Sequence, residues 1–154
     1  MKNTKKPHTQ MMCEISIRYR RPIFEKMPHI KSSEDANDIL RKAIDNEGLS
    51  HKEYFWILLL NQSNRVLGFA EIGRGDTSGV ALNLKEIFQM VILSNSSGLI
   101  VAHNHPSGNT NPSEQDRVMM KKIKHIAELF SITLIDSLIL TTESYFSFSD
   151  NHQL

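Results

Sequence analysis

The chain has 154 residues, which is an ordinary size for one domain and long enough to bury a real core. Its content of 40% hydrophobic and 23% charged residues is normal for a soluble globular protein. The 18 basic and 17 acidic residues give a formal net charge of +1, which excludes a general electrostatic footprint for nucleic acid but leaves a local basic patch open.

The cysteine content and the apolar runs indicate the compartment. The single cysteine, Cys13, excludes an intrachain disulfide and a cysteine-rich zinc module, and it suits a reducing cytoplasm. The basic residues 1–7 are not followed by the apolar segment of a signal peptide. Because the longest apolar runs, such as residues 55–60, are too short to span a bilayer, we expect a cytoplasmic protein without a membrane partner.

The first third of the chain predicts a loose start followed by a helix. Residues 1–12 are polar and aperiodic, which is typical of a disordered tail. Residues 13–31 form a lead-in, in which residues 14–20 alternate between apolar and polar as in a half-buried strand. A helix start at residues 32–35 precedes apolar residues at helical spacing, and Gly48 then predicts the stop.

The remaining elements alternate between strands and helices. The patterns predict strands over residues 54–60 and 66–70 joined by a turn at 61–64, a glycine-containing loop over 73–79, a helix marked by apolar residues 84–92, a strand over 98–102, a helix from 113 to about 130, and strands over 132–140 and 145–148. This order predicts a mixed α/β sandwich-type domain with one sheet and covering helices.

Two histidines and an aspartate follow the buried strand that ends near residue 102. In a strand, residues i and i+2 point to the same face, so His103 and His105 are expected to project side by side. With Asp116, they supply two imidazoles and one carboxylate, the composition of a zinc site that keeps a fourth position open for water. Ser113 and Asp116 also fit a capping box at a helix start, and the two interpretations are compatible. The other histidines are interpreted as solvent-exposed, without a role: His8, His29, His51, His125 and His152.

The spacing of these residues carries a family resemblance. His103-x-His105-Pro106, followed by Ser113-x-x-Asp116, resembles the signature of JAMM (MPN+/JAB) zinc metalloproteases. The longer form, residues 103–108 with Pro112, resembles the RadC family in particular, and the likeness runs from about residue 32 to 148. It implies a cytidine-deaminase-like MPN/JAB domain over residues 32–154 and a zinc cofactor. The chain is similar to short bacterial members, often on mobile elements, that lack the helix-hairpin-helix segment of larger RadC proteins.

The resemblance also implies roles for individual residues. Glu53, directly ahead of a core strand, takes the place of the family's catalytic glutamate, with Glu71 as the reserve candidate. In the implied mechanism zinc activates a water, Glu53 moves its proton to the leaving amine, and Ser113 donates a hydrogen bond to the oxyanion. Asn104 is expected to point to the opposite face and to form hydrogen bonds that shape the turn or support the ligands. Glu86 starts a helix and is interpreted as structural.

Three functions stay open at this point. The first is a metallopeptidase that acts on a peptide or isopeptide substrate. The second is a DNA-repair or mobile-element accessory protein, for which a small basic face on the third helix would bind nucleic acid unless it is simply a solvated surface: Arg117, Lys121, Lys122 and Lys124. The third is a non-catalytic MPN scaffold, which ranks last because all three ligands are kept. RadC-like chains usually show Asp-His where this chain has Asp136-Ser137. Neither substrate nor oligomeric state follows from the sequence.

Overall fold

The computed structural model describes residues 16, 18–75 and 82–154. In chain order the elements are α1 (Ser33–Ala43), β1 (Tyr54–Leu60), β2 (Val66–Arg74), α2 (Leu84–Leu93), β3 (Gly98–Asn104), α3 (Glu114–Leu129), β4 (Thr133–Leu140) and β5 (Tyr145–Ser147), with short 3-10 helices at Phe24–Lys26 and Asn46–Ser50. Among the described residues, no helix has both the length and the apolar character needed to cross a bilayer.

The five strands form one sheet in the order β2-β1-β3-β4-β5. The pairing is antiparallel except between β3 and β4, which run parallel because α3 connects them. β3 is the middle strand, and it is almost entirely buried. Strands covered on both faces are continuous apolar runs rather than alternating ones, as in β1 and β3. The predicted mixed α/β fold with one sheet and covering helices is confirmed.

Each face of the sheet carries its own hydrophobic cluster. The face that includes Phe55 and Val101 packs with buried residues of α2 and α3, such as Ile87 and Ile123. The opposite face packs with α1, through buried residues such as Leu40. Because side chains alternate along a strand, the odd-numbered residues of β3 face α2 and α3. This alternation decides which side of the sheet each residue at the end of β3 faces.

Three predicted boundaries differ from the structure. The first helix ends at Ala43, before Gly48, because the Asn46 side chain donates to the Arg41 carbonyl at 2.7 Å and so caps its C-terminal end. Gly73 is the sheet partner of Phe55 rather than a loop residue, since β2 continues to Arg74.

The third difference concerns the lead-in. Residues 16 and 18–20 of the predicted first strand have no regular secondary structure. Residues 1–15 and 17, which include the predicted tail and the rest of that strand, lie outside the described residues, as do residues 76–79 of the predicted loop.

Candidate metal centre

The two predicted histidine ligands meet at the carboxyl end of β3. His103 lies opposite Phe55 in the β1–β3 register, and the two rings stack with centroids 6.4 Å apart. His105 follows the strand, and its backbone N–H donates to the Leu140 carbonyl at 2.9 Å, which extends the pairing with β4. Both imidazoles are therefore held by a backbone that is paired with its neighbours in the sheet, and their ring centroids are 4.9 Å apart.

The third predicted ligand comes from the start of α3. The Ser113 hydroxyl accepts a hydrogen bond from the Asp116 backbone N–H at 3.1 Å, and Asp116 Oδ2 accepts from the Ser113 N–H at 2.7 Å. This reciprocal capping box satisfies two backbone donors of the helix terminus. The same carboxylate also contacts both histidines. Asp116 therefore takes part in the capping box and in the three-residue cluster at once, as the two compatible interpretations of the sequence allowed.

The three side chains form one compact cluster. His103 Nε2 lies 3.0 Å from Asp116 Oδ1, His105 Nε2 lies 3.4 Å from Asp116 Oδ2, and the two Nε2 atoms are 3.1 Å apart. Two ligand atoms bound at ordinary zinc distances to one tetrahedral centre are about 3.3 Å apart. The observed separations, and the N/N/O donor set, therefore fit a tetrahedral zinc ion with one further position for water.

A backbone carbonyl fixes the orientation of the second imidazole. His105 Nδ1 lies 2.6 Å from the Asn109 carbonyl oxygen, which can only accept a hydrogen bond, so Nδ1 carries the proton. In neutral His105 the lone pair is then on Nε2, the atom that faces Asp116. The turn between them depends on Gly108, whose positive φ of 80° is readily adopted only by glycine. Such an outer hydrogen bond is a regular feature of metal-ligating histidines.

The charges of the cluster stabilise one another. Burial opposes ionisation of Asp116, but hydrogen bonds from His103 and His105 outweigh it and hold the pKa of this carboxyl well below its usual range. The hydrogen bond to Asp116 raises the pKa of His105 above its ordinary value, against the effect of burial, and the charge of Glu53 adds to the increase. The cluster therefore keeps the Asp116 carboxylate ionised beside the His105 imidazole, which holds a proton more readily than an ordinary histidine.

A cavity of about 710 Å³ opens beside the cluster. His103, Asp116 and Glu53 lie in its wall, so the structure brings the predicted glutamate to the same cavity as two of the predicted ligands. The rest of the wall is mainly apolar and includes Phe55, Leu82, Val101, Val118, Met119, Met120 and Ile123. Ser137, at the position of the usual family histidine, also lines it.

The other predicted residues lie elsewhere. Glu71 lies outside this cavity wall and pairs with Arg74 on β2. Glu86 lies in the first turn of α2, where its backbone N–H donates to the Asn83 side chain, so its structural interpretation fits. Ser113 is exposed and lies outside the cavity wall, beside its capping partner.

The predicted basic face on α3 is partly engaged. Arg117 bonds to the Gln153 side chain, and Lys124 donates to the Leu154 carbonyl at 3.3 Å. Lys122 lines the cavity, and Lys121 is exposed. The predicted exposure of the remaining histidines is confirmed for His29, His51, His125 and His152, and His8 lies outside the described residues.

Two features of the site could not be read from the sequence. The Asn109 carbonyl is a backbone group and leaves no side-chain signal in the sequence. The partners of Asn104 lie 50 to 55 residues earlier in the chain, so only its side of the sheet followed from strand alternation.

Comparison with known proteins places the chain among bacterial relatives. A family model described as RadC-like JAB domain matches residues 30–154. A UPF0758 protein of Flavobacterium johnsoniae is 38% identical over 137 residues, covering 89% of this chain and 58% of the relative. A UPF0758 protein of Pasteurella multocida is 31% identical over 145 residues, covering 94% of this chain and 63% of the relative. The chain thus spans about three fifths of the length of these relatives.

Proposed function

The chain belongs to the RadC-like JAB domain family, and from this membership and the geometry of the cluster we propose that it is a zinc-dependent hydrolase of amide bonds. The observation that carries the proposal is the meeting of two imidazoles and a carboxylate at tetrahedral-edge distances beside a cavity that also contains Glu53. The names of the relatives state no activity, so the reaction rests on the chemistry of the site.

The residues present fit zinc. His103, His105 and Asp116 would hold the ion, with the hydrogen bond from His105 to the Asn109 carbonyl fixing the ligand tautomer. When bound, zinc supplies a Lewis acid that polarises a carbonyl and lowers the pKa of a coordinated water. Three protein ligands and an open fourth position are typical of catalytic rather than structural zinc sites.

The protein's own groups supply the proton transfers. We assign to Glu53, which lies in the cavity wall, the role of accepting a proton from the attacking water and delivering it to the leaving amine. Ser113 would donate its hydroxyl hydrogen to the developing oxyanion, because the bond from the Asp116 N–H uses only a lone pair of its oxygen. The apolar part of the cavity would receive a peptide or isopeptide segment next to the scissile bond.

The zinc content of the untagged protein tests the ligand set. We expect about one zinc per chain in the wild type and almost none in His105→Ala, because removal of one of three ligands opens the site. Elemental mass spectrometry measures both. His125→Ala, an exposed histidine on α3, is the matched control and should keep its zinc. A wild type that takes up no metal even from zinc-supplemented buffer would contradict the hydrolase and favour a binding module.

The affinity for zinc should fall as the pH is lowered. Zinc needs His105 without a proton on Nε2, and the pKa of His105 is raised above 6.5 by its bond to Asp116. Protons therefore begin to compete with zinc for His105 at a pH above 6.5. Below that pH, each further decrease of one pH unit should weaken zinc binding about tenfold through this one histidine. Asp116 stays ionised over this range and adds no slope. Chelator competition between about pH 5.5 and about pH 8 measures the effect, and an affinity that is constant over this range would contradict the assignment.

A further inference from the structure

Asn104 stands between the two histidines in sequence, but its side chain lies on the other side of the sheet. It is completely buried. Its Oδ1 accepts a hydrogen bond from the Tyr54 N–H at 2.7 Å, and its Nδ2 donates to the carbonyls of Leu49 and Lys52, both at 2.7 Å. Both ends of the carboxamide are therefore bound to the backbone of one short segment, residues 49–54.

These contacts enclose Glu53. The Lys52 carbonyl directly precedes Glu53 and the Tyr54 N–H directly follows it, so Asn104 holds the peptide groups on both of its sides. From the residue that follows β2, the Gly75 N–H donates to the Glu53 carbonyl at 2.8 Å. The backbone of Glu53 is thus fixed from two directions, just before β1 begins. The three hydrogen bonds between the Asn104 side chain and residues 49–54 are called the clamp below.

The alternation of strand side chains joins this clamp to the metal cluster. His103 lines the cavity and its Nε2 lies 3.1 Å from that of His105, whereas Asn104 points to the face that carries Trp56 and Leu49. Glu53 and Phe55, two residues apart, both line the cavity. The three consecutive residues 103–105, at the end of β3, therefore determine where the two histidines lie and where the segment with Glu53 lies.

We propose that Asn104 is a positioning residue that sets the Glu53 carboxylate relative to the His103–His105–Asp116 cluster. The inference rests on the proposed function, because it assigns a purpose to the placement of Glu53. A displacement of about 1 Å at a reacting group can lower a rate by about 100-fold. Loss of the clamp should therefore slow the turnover step. The metal should stay bound, because the Asn104 side chain does not contact the ligands.

A double-mutant cycle on the cobalt(II)-substituted protein tests this without an assay of activity. The visible absorption of the bound cobalt is recorded as the pH is varied, and the readout is the pH at the midpoint of its change. This midpoint depends on the charges near the metal. We expect Asn104→Ala to keep one cobalt per chain and to move the midpoint by about 0.5 pH unit or more, because the Glu53 charge moves. In the Glu53→Gln background the same Asn104→Ala change should move it no further. A shift of equal size in both backgrounds, or no shift in either, would overturn the proposal.

Two further variants separate positioning from general destabilisation. Leu134→Ala removes a buried side chain at the opposite end of the sheet and should lower stability without moving the midpoint. Asn104→Ser is also uncharged and loses the carboxamide bonds to the Leu49 and Lys52 carbonyls, so it should shift the midpoint in the same direction as Asn104→Ala and serves if the alanine variant does not fold. A Leu134→Ala shift as large as that of Asn104→Ala would contradict the proposal.

Activity gives an independent check once a cleavable peptide is found. Asn104→Ala should lower kcat by about 10–100-fold with little change in KM. Failure of the proposed function looks different: the wild type then takes up neither zinc nor cobalt, and the inference about Asn104 is overturned with it.

Discussion

Glu53→Gln should lower kcat for amide hydrolysis by about 10²–10⁴-fold, the usual contribution of a positioned general acid–base, while zinc stays at one per chain. Glutamine has the size of glutamate but cannot accept the proton of the attacking water. Glu53 lies in the wall of the cavity that contains His103 and Asp116, but it is not part of the three-residue cluster. Kinetics on a cleaved peptide, with zinc measured on the same samples, would check both parts.

Glu71→Gln is the matched control for this result. It makes the same chemical change on the next strand, where the carboxylate pairs with Arg74 outside the cavity wall. We expect its kcat to stay within about twofold of the wild type, since exposed ion pairs contribute little. If Glu71→Gln abolished turnover while Glu53→Gln did not, the general base would be Glu71 and the assignment of Glu53 would be wrong.

Asp136→Ala should lower the free energy of unfolding by about 3 kcal/mol, the largest stability effect that we expect from a single polar residue. Asp136 is 4% exposed, and its carboxylate accepts from the Ser137 and Ser149 N–H groups and from the Ser147 hydroxyl. Removal of the acceptor leaves buried donors without a partner. Burial raises the pKa of this carboxyl, which means that the site disfavours the charge itself. Asp136→Asn, which is neutral and keeps one acceptor oxygen, should therefore lose less stability than Asp136→Ala.

Urea unfolding of the wild type, Asp136→Ala and Asp136→Asn measures the differences in the free energy of unfolding. Asp38→Ala, an exposed aspartate on α1, is the control and should stay within about 0.5 kcal/mol of the wild type. The groups that bond to Asp136 belong mainly to β5 and the segment after it, so protease cleavage should increase first near residues 145–150. An Asp136→Ala variant as stable as the wild type would show that water replaces the lost acceptor.

Local chemistry explains why much of the site followed from the sequence. Strand alternation put His103 and His105 on one face, and the serine-to-aspartate spacing predicted the start of α3. The cluster then required only that α3 begin close to the end of β3. The connecting loop of nine residues between Asn104 and Glu114 is short enough for this. The order of strands and helices followed from apolar periodicity in the same way.

Contacts between distant parts of the chain were beyond sequence reasoning. The clamp of Asn104 on residues 49–54 depends on β1 lying antiparallel to β3 in one register, which no local pattern specifies. Gly73 was predicted to begin a glycine-containing loop, yet its pairing with Phe55 keeps it in β2. Ser137 enters the cavity wall only through the β3–β4 register that places it beside Val101.

The capping box of α3 has a consequence for metal exchange. The carboxylate of Asp116 is tied to the backbone of Ser113 as soon as the helix forms, whether or not an ion is present. Its conformational entropy is therefore lost during folding and not during metal uptake. Because the carboxylate is placed in advance, we expect one divalent ion to replace another without any rebuilding of the helix start, and we expect the rate of exchange to be limited by the departing ion.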